Sequence, residues 1–206
     1  MNWKLINKRN QPKAGVYSDW KEQIAEECFN QCVYCSIHEA QFGGIDHYHI
    51  DHFRPKSIFG KLENDIYNLF YACPICNRFK SDDWPGNPDL TKVSYPDPSK
   101  TDYSQLFALK SDFEIKGKYI ASEYLVLRLF LNRAQLIMER REAIRRSQVN
   151  ELIKAVSSLM EEAASEDSKF ALKTYKEIDA IKNNLLQLEE SRRKIRPYKL
   201  KDIRKP

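Results

Sequence analysis

Two C-x-x-C pairs limit what this chain can fold into more than any other feature. Cys32 and Cys35 lie in NQCVYCS and Cys73 and Cys76 in YACPICN, with 37 residues between the pairs. A C-x-x-C turn aims two thiolates at one point, and two such turns complete the tetrahedral shell that zinc prefers. Coincidental pairs of buried thiols, or a redox pair, are the competing readings; two pairs in one chain favour zinc over both. Four thiolates leave no open position for a substrate, so the expected ion is structural. The fifth cysteine, Cys28, belongs to the helix-like segment WKEQIAEECF and reads as a small core residue.

The loop that such an ion would close contains the densest chemistry in the chain, HYHIDHFRPKS at residues 47–57. Gly-Gly before it and Pro55 within it mark a short strand entering a turn, and LENDIYNLFYACPICNRFKSDD then supplies a helical or extended lead-in, the second cysteine turn and a short helix starting near Asn77. A metal-assisted hydrolysis at this stretch would need a base to activate water, a cation to stabilise the developing charge, and groups that hold the substrate. His52 suits the first role, because an imidazole with an unperturbed pKa of about 6.5 takes a proton near neutral pH. Asp51 offers a hard anionic oxygen and Asn77 a hard neutral one, a donor set for Mg²⁺ or Mn²⁺ rather than for zinc.

Strand alternation places His47, His49 and Asp51 on one face and His52 on the other. His49 is therefore either an auxiliary ligand beside Asp51 or an ordinary histidine, and His47 reads as a surface residue. Lys56, Lys80 and Arg54 flank the stretch as candidate phosphate contacts, in that company of solvated surface charges from which single lysines and arginines are hard to tell. Lys80 and Lys56 rank ahead of Arg54. Asn68 reads from its type alone as a cap or turn residue.

In order along the chain, Asp51-His52, Asn68 in NLF, and Cys73-x-x-Cys76-Asn77-x-x-Lys80 resemble the HNH endonuclease superfamily, whose nuclease core is the ββα-metal fold. The resemblance spans about residues 16–85, and asparagine in the third signature position is a variant that the superfamily also uses. It implies that Asn68 holds the hairpin loop and orients His52. The expected fold class is α+β, mostly helical, with a zinc-stapled ββα-metal core over residues 1–120 and a C-terminal helical extension over 121–206.

Composition agrees without adding much. The chain's 206 residues suffice for one compact domain with an appendage. Its 34 Lys and Arg against 29 Asp and Glu give a net +5 that suits a phosphate-rich partner without requiring one. MNWKLINKRN has no apolar run, and YLVLRLFL is short and interrupted by Arg128, so no membrane segment is expected and the chain reads as soluble and intracellular.

Beyond residue 85, WPGNPDLTKVSYPDPSK reads as an ordered loop, and LFALKSDFEIKGKYIAS as a hairpin with a turn near Gly117. Apolar residues then recur at helical spacing from Ser122 to about Ala164, through Leu125, Leu129, Leu136, Val149, Leu152, Val156, Leu159 and Ala163, with a break near Asn132. A second helix is expected over about Lys169–Ser191, through Tyr175, Ile178, Ile181 and Leu185. These stripes read as a helical core or as a surface for a partner.

LRLFLNRAQLIMERR, HIDHFRPKS and NLFYACPICNRFK also resemble the HNH family that includes PtuB, the nuclease of Septu and retron-linked bacterial antiphage systems. That resemblance implies a PtuA-like ABC-type ATPase partner, a role in antiviral defence and a bacterial cytoplasmic setting. The basic end, SRRKIRPYKLKDIRKP, reads as a solvated tail, a nucleic-acid contact or a partner contact. Three functions follow: a metal-dependent endonuclease on DNA, the same site directed at RNA such as tRNA, or a zinc-stabilised binding module without catalysis. A single HNH site cuts one strand, so a double-strand break takes two visits or two subunits.

Overall fold

The structure is a computed structural model that describes residues 3–163 and 168–193. Two compact units divide the chain, Met1–Leu136 and Ile137–Pro206.

In the first unit a 3-10 turn, Tyr17–Trp20, leads into helix α1, Lys21–Glu27. Ile24 and Ala25 bury one face of α1, and Cys28 at its end is 2% exposed. Strand β1, His49–His52, pairs antiparallel with β2, Leu69–Ala72, in the register His49↔Ala72, Asp51↔Phe70 and His52↔Leu69. Every residue of β2 is buried, which is why LFYA is apolar without alternation. Helix α2, Pro74–Lys80, starts at once from β2. Proline occupies its first position, where the missing N–H costs nothing, and the Cys73 thiol caps it by accepting from the Cys76 N–H at 3.4 Å. Strand, strand and helix thus follow the expected order, with α2 beginning at Pro74 and Asn77 in its middle.

The stretch from Trp84 to Asp102 holds no regular element, yet Tyr95 and Ser94 in it have no exposed surface. Asp83, just after α2, accepts hydrogen bonds from Tyr95 (2.7 Å), Tyr124 and Arg128 (3.1 Å). That one carboxylate ties the exit of α2 to this loop and to the helix that carries Tyr124 and Arg128.

Strands β3, Phe107–Leu109, and β4, Ile115–Gly117, form a hairpin. Its turn lies at residues 110–114, where the Lys110 N–H meets the Glu114 carbonyl at 2.8 Å and Phe113 takes φ +66°. The turn expected near Gly117 is not there; Gly117 ends β4 and is needed for close approach to α3, Ile120–Arg128. A Cβ on Gly117 would stand 2.2 Å from the Glu123 backbone nitrogen. Leu125, Leu129, Leu131 and Leu136 have no exposed surface. The break expected near Asn132 falls between α3 and α4, Ala134–Ala163. There the Asn132 amide pairs with both backbone groups of Ile115, at 2.8 and 2.9 Å, completing the edge of β4 with a side chain.

The second unit contains the body of α4 and α5, Ser168–Arg193. Val149, Leu152, Val156 and Leu159 form the half-buried stripe of α4, while Tyr175 on α5 is 67% exposed. The basic end beyond Arg193 lies outside the described residues. No helix among the described residues is long and apolar enough to cross a membrane.

Gly117→Ala should destabilise the protein by about 1–3 kcal/mol, the usual penalty of overpacking. A denaturant melt checks this, and a midpoint equal to wild type would place α3 further from β4 than described.

Candidate active site and metal centre

The residues before Cys32 turn sharply, with Phe29 and Asn30 at φ +58° and +54°. A knuckle follows, in which the Ser36 N–H reaches the Cys32 carbonyl at 2.8 Å and the Cys32 N–H reaches Ile37 at 2.9 Å. The Val33 N–H bonds the Tyr71 carbonyl at 2.9 Å, which lays this knuckle beside β2. The second knuckle is the start of α2. Together they bring the ligand atoms of Cys32, Cys35, Cys73 and Cys76 within 4.8 Å of one another, all buried. Cys35 and Cys73 sulfurs are 3.7 Å apart, close to the edge of a tetrahedron with Zn–S bonds of about 2.3 Å.

Four thiols without a cation fit this pocket poorly. Burial pushes the Cys32 thiol well up, while hydrogen bonds from Cys32, Cys35 and Cys76 pull Cys73 down. A cation that holds all four as thiolates resolves the conflict, and zinc suits the all-sulfur donor set. The Arg133 guanidinium faces the cage, 3.6 Å from the Cys76 sulfur, while bonding the Leu129 and Phe130 carbonyls at the end of α3. Its charge offsets part of the negative charge that four thiolates leave around a divalent ion. Cys28 stands apart; its sulfur accepts from the Tyr71 N–H at 3.5 Å, and burial pushes its pKa up to about 11.

Each knuckle delivers one partner to Asp51. Tyr34, inside C-V-Y-C, donates its hydroxyl to Asp51 Oδ2 at 2.5 Å. Lys80, one turn beyond Cys76, places Nζ 3.1 Å from Asp51 Oδ1 and 2.7 Å from the His52 carbonyl. Asp51 is 4% exposed and Lys80 not at all. Burial, then the neighbouring Asp51, hold the Tyr34 phenol well above its ordinary pKa, so it remains a donor. Lys80 was expected among the phosphate contacts. It lies instead inside the fold, because the carboxylate of Asp51 could not be buried without a cation.

His52 sits on the other side of the strand, half-buried, with Nε2 3.0 Å from the Glu63 carbonyl. A carbonyl only accepts, so Nε2 carries the proton and Nδ1 is the basic nitrogen of the neutral ring. Burial lowers the His52 pKa below 6.5, with the Glu63 carbonyl opposing it in part. Asn68 is buried and anchors the loop between the strands. Its Oδ1 accepts from the Arg54 N–H at 2.8 Å, and its Nδ2 donates to the Arg54 and Leu62 carbonyls at 3.0 and 3.3 Å. Since Glu63 follows Leu62, Asn68 fixes the carbonyl that fixes His52.

Residues 32–83 match the family model of HNH endonuclease. The HNH segment runs from the first cysteine of the cage to Asp83 and includes β1, β2 and α2. No curated protein and no solved structure matches the chain.

Within the HNH segment, Asn77 is partly exposed on α2; its backbone N–H donates to the Cys73 carbonyl at 3.0 Å, and its side-chain amide has no hydrogen bond among the described residues. For the divalent ion that HNH chemistry implies, the donors fit as hard oxygens: Asn77 is unengaged, and each Asp51 oxygen keeps a second lone pair. The Lys80 ammonium nonetheless already compensates the Asp51 charge. Lys56 is exposed and paired with Glu63 at 3.0 Å. Arg54 lies over the Phe59 and Trp84 rings at 6.0 and 5.9 Å. His47 and His49 are exposed, and neither joins a group of potential metal ligands among the described residues.

Tyr34, Glu63 and Arg133 escaped the sequence reading. Only Tyr34 carried a signal, its place inside a C-x-x-C turn; Glu63 meets His52 through its backbone, and Arg133 lies 57 residues from Cys76.

Cys73→Ser should lose zinc, read as zinc per chain by atomic emission; full retention would remove Cys73 from the cage. Lys80→Met should cost about 3–5 kcal/mol, because it leaves a buried carboxylate unpaired. An unchanged melt would show that Asp51 is solvated rather than paired.

Proposed function

We propose that this chain is an HNH endonuclease that hydrolyses phosphodiester bonds in DNA, with His52 Nδ1 as the general base. The observation that carries this reading is the 3.0 Å contact between His52 Nε2 and the Glu63 carbonyl, from which the tautomer follows because a carbonyl only accepts. An imidazole held this way has its one free lone pair on Nδ1, and its lowered pKa keeps it neutral at neutral pH. Nδ1 takes a proton from water, the water oxygen bonds to phosphorus, and the bond from phosphorus to the departing oxygen breaks.

Asp51 and Asn77 would hold Mg²⁺ or Mn²⁺, which supplies charge stabilisation for the phosphate and the leaving oxygen. Lys80 keeps the carboxylate in place through its own contact and braces the His52 backbone carbonyl. Asn68 maintains the loop geometry that presents Glu63. Lys56 and Arg54 are the phosphate contacts this reading retains, because both reach the surface.

The biological setting in this reading is bacterial antiphage defence with a PtuA-like ABC-type ATPase. It is supported by the PtuB-like stretches HIDHFRPKS, NLFYACPICNRFK and LRLFLNRAQLIMERR, and α4 and α5 are the natural surface for that partner.

Purified protein, alone and with the ATPase of its genomic neighbourhood, is incubated with supercoiled plasmid and with tRNA in Mg²⁺, Mn²⁺ or EDTA. Plasmid nicking that needs the divalent ion and falls by about 10²–10⁴-fold in His52→Ala is the expected result. Cleavage of tRNA alone would redirect the same site to RNA. Activity that survives His52→Ala would end the assignment of the base, and no cleavage under any condition would leave a binding module.

A further inference from the structure

His52 is held by more than the HNH segment. Among the described residues its side chain makes one hydrogen bond, to Glu63, and a single bond at Nε2 leaves the imidazole free to tilt about the nitrogen–oxygen line. The contact that removes this freedom comes from upstream of the matched residues. The Tyr17 ring stands nearly perpendicular to the His52 ring, at 74°, with centroids 4.8 Å apart.

Tyr17 is itself fixed at two points on the loop that carries Glu63. Its backbone N–H donates to Asn64 Oδ1 at 2.8 Å. Its hydroxyl accepts from Lys56 Nζ at 3.3 Å, and the same ammonium bonds Glu63 Oε1 at 3.0 Å. The contacts close a circuit: His52 to the Glu63 carbonyl, Glu63 carboxylate to Lys56, Lys56 to Tyr17, and Tyr17 back to His52. Both links through Lys56, to Glu63 and to the Tyr17 hydroxyl, are polar and solvent-exposed, the Lys56 and Glu63 side chains being 47% and 42% exposed. Its aromatic link does not depend on that ion pair.

We propose that Tyr17 is a positioning residue for His52, its ring edge-packing against the imidazole and holding the plane in which Nε2 meets Glu63 and Nδ1 is left for the attacking water. The inference rests on the reading of His52 as the general base. Because Tyr17 acts through its ring, the hydroxyl is secondary, and phenylalanine suffices. A leucine fills the space without presenting a planar partner, so it separates orientation from simple packing.

The test compares wild type, Tyr17→Phe and Tyr17→Leu as full chains in two measurements. The first is steady-state cleavage of whichever substrate the wild type cuts. Tyr17→Leu should lower kcat by about 10–100-fold with little change in KM, since misplacement of a reacting group by about 1 Å costs this much. Tyr17→Phe should stay within about threefold of wild type in kcat. The second is the ¹⁵N spectrum of the imidazoles at a pH where they are neutral. The wild type and Tyr17→Phe should show His52 as one tautomer, protonated at Nε2, and Tyr17→Leu should shift toward the average of two tautomers.

A rise in KM with kcat unchanged would overturn the proposal and make Tyr17 a substrate contact. Equal kcat and an equal imidazole spectrum in Tyr17→Leu and wild type would overturn it as well. A wild type that cleaves nothing would defeat the nuclease reading, and the ¹⁵N spectra alone would then decide whether Tyr17 orients His52.

Discussion

The tie between the two C-x-x-C turns is the constraint on which the other features of the first unit depend. It joins a knuckle after α1 to the first turn of α2, segments about forty residues apart. Each half then hands one side chain to the same carboxylate, Tyr34 from the first knuckle and Lys80 from the helix that begins at the second. Asp51 can be buried because both arrive. A buried carboxylate with neither partner would cost several kcal/mol, so the four-cysteine cluster and the Asp51 network stand or fall together. Arg133 extends the same dependence to the end of α3, where it bonds the last carbonyls and the Cys76 sulfur at once.

A second layer of constraint surrounds His52 and is built from the loop between β1 and β2. Asn68 crosses that loop to Arg54 and Leu62, and the next residue, Glu63, presents the carbonyl that selects the tautomer. Tyr17 closes the layer from outside. The two residues of the Asp51-His52 pair thus take opposite sides of one strand, Asp51 anchored inward by Tyr34 and Lys80 and His52 half-buried on the other side.

Several of these features were legible in the sequence because they are local. The paired cysteines and the break at Asn132 each express a rule that acts within a few residues, whereas the helix expected from near Asn77 starts three residues earlier, at Pro74. The Lys80 burial was not legible. A lysine near a helix end reads as surface, and what buries it is Asp51, 29 residues earlier in the chain. Tyr17 was invisible for the same reason, lying 35 positions before the histidine it meets. The hairpin turn was misplaced because Gly117 resembles a turn glycine, whereas its purpose is to admit the backbone of Glu123. Local chemistry named the candidates, and long-range pairing decided how they are used.

The central claim is that the thiolate-held ion organises the strand and helix that carry Asp51, His52, Asn77 and Lys80. Hydrogen–deuterium exchange on the protein with zinc bound and after chelation tests it most directly. The account predicts that chelation raises exchange through β1, β2 and α2, residues 49–80, along with the end of α3 that Arg133 reaches. Exchange in those segments that is the same with and without zinc would contradict it.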